Sequence, residues 1–109
     1  ANLLQQLKDP VAAKHAERAL QLDPENPSYL DTLGWILVQQ GKGEAGLRYL
    51  REARLRSPGS GEIRYHLAYA LARGGRKAEA RDELSAALTG PGRVTGSEAV
   101  NQLKKELGL

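Results

Sequence analysis

Residues 30–53 read LDTLGWILVQQGKGEAGLRYLREA, and this stretch contains two helical patterns separated by a break. Its apolar and small residues recur at the i, i+3, i+4, i+7 spacing of a single helix face. They are Leu30, Leu33, Gly34 and Leu37 in the first half, and Gly46, Tyr49, Leu50 and Ala53 in the second. Gly41 and Gly43 interrupt the pattern, as glycines do where a helix ends. The stretch therefore predicts a helical hairpin.

The same pattern recurs 34 residues later in RYHLAYALARGGRKAEARDELSAA, which is residues 64–87. Seven small or apolar positions match at this one offset. The pairs are Leu33 and Leu67, Gly34 and Ala68, Leu37 and Leu71, Gly41 and Gly75, Gly46 and Ala80, Leu50 and Leu84, and Ala53 and Ala87. A period of about 34 residues is typical of helix-turn-helix solenoids, in which stacked neighbours supply the core that one hairpin lacks.

The repeat divides the chain into four predicted segments within a single all-α domain. Residues 1–26 form a partial repeat, 27–60 and 61–94 form two complete repeats, and 95–109 form a C-terminal capping helix. An apolar stripe on the last helix, Val100, Leu103 and Leu107, is expected to cover the last repeat. Its other face, Gln102, Lys105 and Glu106, is expected to face solvent, because solenoid ends need a polar outer surface.

These residues resemble the tetratricopeptide-repeat (TPR) family, whose pattern is W-x2-L-G-x2-Y, then A-x3-F, then A and P. The positions that carry the resemblance are Leu30, Leu33, Gly34, Leu37, Gly46, Leu50, Ala53 and Pro58, and then Leu67, Ala68, Leu71, Ala80, Leu84 and Ala87. The resemblance implies a right-handed superhelix that binds proteins and has no enzymatic activity. Arginines depart from the pattern at positions 54, 56 and 64. Arg64 is expected to lay its stem along the core edge with its charge in water.

The resemblance also implies that the first helix of each repeat lines a concave groove. The predicted partner-binding residues on that face are Asp31, Trp35, Val38, Gln39, Glu62, Tyr65, Tyr69 and Arg73. Trp35 and Tyr69 are equivalent under the repeat, and Tyr65 lies one turn before Tyr69. Trp, Tyr and Arg dominate binding hot spots, so the sequence predicts a peptide or protein ligand in an aromatic groove.

Residues 30–35 and 62–68, LDTLGW and EIRYHLA, look like the C-terminal repeats of bacterial TPR lipoproteins of exopolysaccharide and PEP-CTERM systems. That narrower resemblance favours the periplasm or cell envelope over the cytoplasm. It leaves an alternative function open, in which this segment is the structural end of a long array and the binding site lies elsewhere. A third alternative is a polysaccharide-binding module, because sugars stack on Trp and Tyr rings.

Other chemistries find little support in the sequence, and neither a cofactor, a metal nor a catalytic residue is predicted. Gly41-x-Gly43-x-x-Gly46 matches a dinucleotide fingerprint, but a Leu-rich helix stands where that motif needs a strand. His15 and His66 lie in different repeats and lack the converging ligands of a metal site, and Glu62 and His66 are interpreted as a surface pair. No nucleophile elbow occurs, and the serines fall where helix capping explains them.

Charge and composition restrict the partners further. The net charge is +3, there is no cysteine, and no apolar run approaches the length of a membrane span. The arginines at 48, 51, 54 and 56 alternate with Glu44 and Glu52, so three i, i+4 ion pairs on a solvated face are expected rather than a nucleic-acid site.

The chain opens at Ala1, without Met, inside a helical pattern, which indicates a fragment of a longer TPR protein. Leu3, Leu4 and Leu7 would then belong to a helix separated from its neighbours. A weak homodimer through this N-terminal edge is expected, and an upstream repeat would abolish it.

Overall fold

The computed structural model describes residues 10–109, and this part of the chain forms six α-helices and no strand. The helices are α1 (Pro10–Leu22), α2 (Pro27–Gln39), α3 (Gly43–Arg56), α4 (Gly61–Arg73), α5 (Lys77–Ala87) and α6 (Glu98–Leu107). Helices α2 and α3 form one hairpin, and α4 and α5 form the next. The prediction of an all-α helical solenoid is confirmed.

Three helices begin at a polar side chain that caps their first turn. The Asn26 Oδ1 accepts hydrogen bonds from the amides of Ser28 and Tyr29 at 2.9 and 3.2 Å, just before Pro27 opens α2. Ser60 and Ser97 accept from the third amide of α4 and α6, each at 3.2 Å. Such caps satisfy amides that the helix itself leaves unbonded, so the sequence defines where these helices start.

The turns inside the two hairpins share one backbone conformation. Gly41 and Gly75 both adopt a left-handed conformation, with φ of 81° and 79°. The two equivalent backbone hydrogen bonds run from Lys42 N to Leu37 O and from Arg76 N to Leu71 O, both at 2.9 Å. Only glycine reaches this region without steric cost, so the repeated glycine fixes the repeated turn.

Close packing inside the first hairpin depends on two glycines that face each other across α2 and α3. A Cβ atom placed on Gly46 would lie 2.6 Å from the carbonyl oxygen of Gly34 and 2.7 Å from Cγ2 of Val38. At the equivalent crossing of α4 and α5, Ala68 and Ala80 are fully buried. Small side chains therefore let both pairs of helices approach closely.

We expect Gly46→Ala to destabilise the domain by about 1–3 kcal/mol, because the new methyl group overlaps backbone that cannot move freely. Gly43→Ala is the matched control. A Cβ atom there meets nothing within 4 Å, so the substitution should stabilise α3 by about 0.5–1 kcal/mol. Urea unfolding of both variants measures the difference. Equal effects at the two positions would show that the helix crossing is not tight.

The core consists of apolar side chains between successive hairpins. Its largest cluster joins α3 to α6 and contains Leu47, Leu50, Leu67, Leu71, Leu84, Val100, Leu103 and Leu107 together with four alanines. Smaller clusters join α1 to α2, and α2 to α3 and α4. Burial of side chains from neighbouring hairpins explains why a single hairpin is not a folding unit here.

Helix α6 covers the last hairpin with the stripe that its sequence predicted. Val100, Leu103 and Leu107 are 3%, 2% and 1% exposed. Arg81 on α5 also donates to the backbone carbonyl of Leu107 at 2.6 Å, which fastens the end of α6. At the other end of the chain, Leu3, Leu4 and Leu7 lie outside the described residues, so the N-terminal homodimer stays a prediction.

The arginines pair differently from the sequence expectation. Of the three i, i+4 pairs expected on α3, Glu52–Arg56 forms, whereas Arg48 lies over the ring of Tyr49. Arg51 and Arg54 reach across to glutamates of α5 instead. The charge of Arg64 is also not left in water, because it pairs with the buried carboxylate of Glu83. Spacing along one helix reveals only neighbours on that helix, so pairs between stacked helices were missed.

Candidate functional site

Helices α2 and α4, the first helices of the two complete hairpins, lie side by side, and the terminal helix α6 lies against α4. Four rings meet there and define the aromatic patch: Trp35, Tyr65, His66 and Tyr69. From the Trp35 ring, the centroid distances are 6.2 Å to Tyr65, 5.1 Å to Tyr69 and 4.2 Å to His66. All four residues are partly exposed, although the His66 side chain is only 12% exposed. The rings therefore contact one another and still expose part of their surface.

His66 is the member of the patch that sequence reasoning missed. Its interpretation as a surface partner of Glu62 is wrong, because its Nδ1 lies 2.7 Å from a carboxylate oxygen of Asp31 on α2. The ring stacks on Trp35 with an interplanar angle of 24°. Asp31 was predicted as a groove residue, and here it orients His66 from the neighbouring hairpin. Linear spacing carries no signal for this contact, since it depends on how α2 and α4 stack.

At the other end of α4, Arg73 connects the aromatic patch to α6. Its guanidinium lies 4.6 Å from the centroid of the Tyr69 ring, within the range of a cation–π contact. The same group donates two hydrogen bonds to the Glu106 carboxylate, at 2.9 and 3.0 Å. Glu106 was expected to face solvent only, so this bidentate pair corrects that expectation. A bidentate pair also fixes the direction of the guanidinium plane.

These contacts shift the ionisation of three groups. Hydrogen bonding from Arg73 lowers the pKa of the Glu106 carboxyl. The bond to Glu106, followed by one to Tyr69, raises the pKa of Arg73. Burial, followed by the proximity of Tyr69, raises the pKa of the Tyr65 phenol, although Arg73 acts in the opposite direction. The Tyr65 phenol is therefore neutral around neutral pH, beside the ion pair of Arg73 and Glu106.

Two cavities adjoin the patch along α4. The larger has a volume of about 670 Å³ and lies between the turn ends of the two hairpins, where Val38, Gln39, Leu47, Tyr69 and Arg73 line it. The smaller, about 220 Å³, lies between α4 and α6, with Gln102 and Glu106 on its α6 side. Tyr69 and Arg73 belong to both cavities, so they join them into one surface.

The eight predicted groove residues occupy three parts of this surface. Trp35, Tyr65 and Tyr69 form the aromatic patch with His66, and Asp31 supports it. Val38, Gln39 and Arg73 line the larger cavity, and Glu62 is exposed on the first turn of α4. Within residues 10–109, no group of three or more His, Asp or Glu side chains is placed to hold a metal ion. What the surface offers is aromatic, amide and charged groups for contact.

Stacked two-helix hairpins closed by a terminal helix define a helical-repeat protein. A family model for the tetratricopeptide repeat matches residues 32–94, which is more than half of the chain. The chain therefore belongs to the tetratricopeptide-repeat family. Tetratricopeptide repeats are generally protein-interaction modules, and proteins of this family are typically non-enzymatic scaffolds.

A curated relative matches the chain over a shorter stretch than the family model does. The chain is similar to the TPR repeat-containing protein PA4667 of Pseudomonas aeruginosa, with 44% identity over 50 residues. The match covers 46% of this chain and 8% of the relative.

Among residues 10–109, no helix has the length and apolar content needed to cross a membrane.

Proposed function

We propose that this segment binds a peptide or protein partner on the surface formed by α2, α4 and α6. The aromatic patch would provide the main contacts. The observation that carries the proposal is that Trp35 touches three other rings and remains half-buried. Large aromatic side chains held rigidly by neighbours lose little conformational freedom on binding, which is why they contribute strongly to hot spots.

The position of Trp35 off the buried leucine stripe supports the same proposal, although Tyr65 and Tyr69 also pack against the main core cluster. Leu30, Leu33 and Leu37 form the buried stripe of α2 and are at most 7% exposed, whereas Trp35 projects from another side of that helix. A partner can therefore cover the Trp35 ring without displacing the side chains that hold the hairpins together. The adjoining larger cavity, at about 670 Å³, lies within the usual size range of ligand pockets, roughly 300–1,000 Å³.

We expect Trp35→Ala and Tyr69→Ala to weaken partner binding by about 2 kcal/mol or more, which is roughly thirtyfold in affinity. Both variants should keep most of their thermal stability, because both rings are partly exposed and Trp35 lies off the buried leucine stripe, although Tyr69→Ala also removes a contact with the main core cluster. The experiment is a pull-down with the intact chain, followed by calorimetric titration of the partner that is recovered.

Tyr29→Ala is the matched control for the loss of an aromatic ring. Tyr29 also lies on α2 and is 39% exposed, but it is outside the ring contacts of the patch. The control should retain the partner. Full-strength binding by a folded Trp35→Ala variant would refute the proposal. So would extensive unfolding of that variant, since fully core aromatics cost about 3–5 kcal/mol of folding stability.

The alternative, that this segment is a structural array end, has an observation in its favour. Helix α6 covers the last hairpin with fully buried side chains, as a terminal cap would. Trp35→Ala distinguishes the two functions. It should weaken partner binding if the aromatic patch is the binding surface, and it should leave binding unchanged if this segment is only a structural end. An envelope location and a role in exopolysaccharide assembly remain part of this alternative proposal.

A further inference from the structure

A buried carboxylate lies between the two complete hairpins. Glu83 on α5 is only 8% exposed, and it accepts hydrogen bonds from Arg54 of α3 and Arg64 of α4. The Nη1 of Arg64 lies 3.2 and 3.4 Å from the two carboxylate oxygens, and its Nε donates to the carbonyl of Pro58 at 3.0 Å. Arg54, Arg64 and Glu83 are called the ionic triad below. It connects the hairpins because Arg54 comes from one and the other two members come from the next.

The same three positions are apolar one repeat earlier. Shifting by 34 residues pairs Leu20 with Arg54, Leu30 with Arg64, and Tyr49 with Glu83. In the structure, the three earlier residues also meet: Leu20 and Tyr49 both pack against the buried cluster that contains Leu30. Leu20 comes from α1, and the other two come from the hairpin that stacks on it. The same site is therefore apolar at the first junction, where α1 meets the α2–α3 hairpin, and ionic at the second junction, where that hairpin meets the α4–α5 hairpin.

The two sets are compatible only with themselves. A guanidinium packed against Leu30 would lose water without gaining a carboxylate, and the Tyr49 ring beside it is already covered by Arg48. Burying an unpaired charge is unfavourable. A leucine opposite Glu83 would remove one of its two arginine partners. By contrast, replacing a whole buried ion set by apolar residues of similar volume is often neutral or stabilising. A buried ion set can therefore discriminate between partners without adding much stability.

We infer that the surface around Arg54 is an interaction surface that accepts only a hairpin with a carboxylate at the position of Glu83. The hairpin of α2 and α3 has Leu30 and Tyr49 at those positions, so it is rejected. While the chain folds, before its own α4–α5 hairpin covers Arg54, this mismatch opposes the placement of the α2–α3 hairpin of a second copy there, although the helices and turns of the two hairpins match. The junction between α1 and α2 has no such protection, because both of its sides are apolar.

The test is self-association of the full chain after refolding. Arg54→Leu gives this surface the residue that α1 carries at Leu20, so it should now accept the α2–α3 hairpin of another copy. Arg64 still pairs with Glu83 inside the last hairpin, so the buried carboxylate keeps one of its two partners. We expect the oligomeric fraction, measured by size exclusion with light scattering after dilution from urea, to rise roughly tenfold or more over the wild type at equal concentration, because the guanidinium that opposed the foreign hairpin is gone.

Arg51→Leu is the matched control. Arg51 lies one turn earlier on α3 and also pairs across to α5, through Glu79 at 3.1 Å, but outside the ionic triad. It adds the same apolar side chain to the surface and should leave the oligomeric fraction at the wild-type level. Equal association of the Arg51→Leu and Arg54→Leu variants would overturn the inference, since the effect would then be general stickiness. An unchanged oligomeric fraction in Arg54→Leu would also overturn it.

A triple variant, Arg54→Leu, Arg64→Leu and Glu83→Tyr, copies the whole apolar set onto the second junction. It should fold with a urea midpoint no lower than that of the wild type and should also associate. If Arg54→Leu fails to fold, the triple variant tests the inference instead, because it contains no buried charge at the site. A triple variant that stays monomeric, or that does not fold, overturns the inference. Either result would show that the three apolar residues of the first junction cannot replace the ionic triad at the second.

Discussion

Deletion of residues 97–109 is expected to expose the apolar surface of the last hairpin and to cause self-association with a large fall in melting temperature. Helix α6 places three side chains of at most 3% exposure on that hairpin, Val100, Leu103 and Leu107. Full burial of each such side chain is worth about 1.5–3 kcal/mol, so the loss is comparable to the whole stability of a domain of this size, about 5–15 kcal/mol. Thermal melting and light scattering measure both effects.

The control for this deletion separates the apolar stripe from the exposed face of α6. Replacing the stripe by serines at 100, 103 and 107 should reproduce the deletion. Replacing the exposed Asn101 and Lys105 by serine should leave melting and association close to those of the wild type. The cap interpretation fails if the truncated chain is monomeric and melts at the temperature of the intact one.

Leu50→Ala should cost about 2–5 kcal/mol of folding free energy. Leu50 is fully buried in α3, and its side chain fills the space next to Gly34, where α2 and α3 cross. Truncation would leave a cavity that the closely spaced backbones cannot collapse into. Because this cost is a large fraction of the total stability, a clear fall in the urea midpoint is expected.

Leu55→Ala makes the same chemical change five residues later on the same helix. Leu55 is 69% exposed, so the variant should stay within about 0.5 kcal/mol of the wild type. Helix propensity changes equally in both variants and cancels in the comparison. Equal losses at the two positions would contradict the burial pattern of α3.

The sequence predicted the helices and hairpins well because their signals are local. The spacing of Leu33, Leu37 and Leu50, the capping serines and the repeated Gly41 and Gly75 each act within a few residues of chain. The family was visible in the same way, since a repeated local pattern stands out at a constant offset. The buried stripe of α6 was also predictable, because one face of a short amphipathic helix has to be covered.

The candidate site was predicted in outline only. Repeat equivalence placed Trp35 and Tyr69 on corresponding helices, and the structure brings their rings within 5.1 Å. Repeat equivalence did not reveal that His66 stacks on Trp35 and binds Asp31, or that Glu106 of α6 pairs with Arg73. Whether a partner uses this surface remains the proposal made above.

By itself, the sequence determined the helical class, the 34-residue hairpin, the turn glycines and the apolar stripes, since these follow from periodicity and backbone preference. Only the tertiary structure decided which polar side chains pair across the stack. Glu83 lies 29 residues from Arg54 and 19 from Arg64, and it meets both only because α5 packs against α4 and α4 packs against α3. Local physics fixes a helix, but the partner of a buried charge depends on which face of that helix the neighbouring hairpin covers.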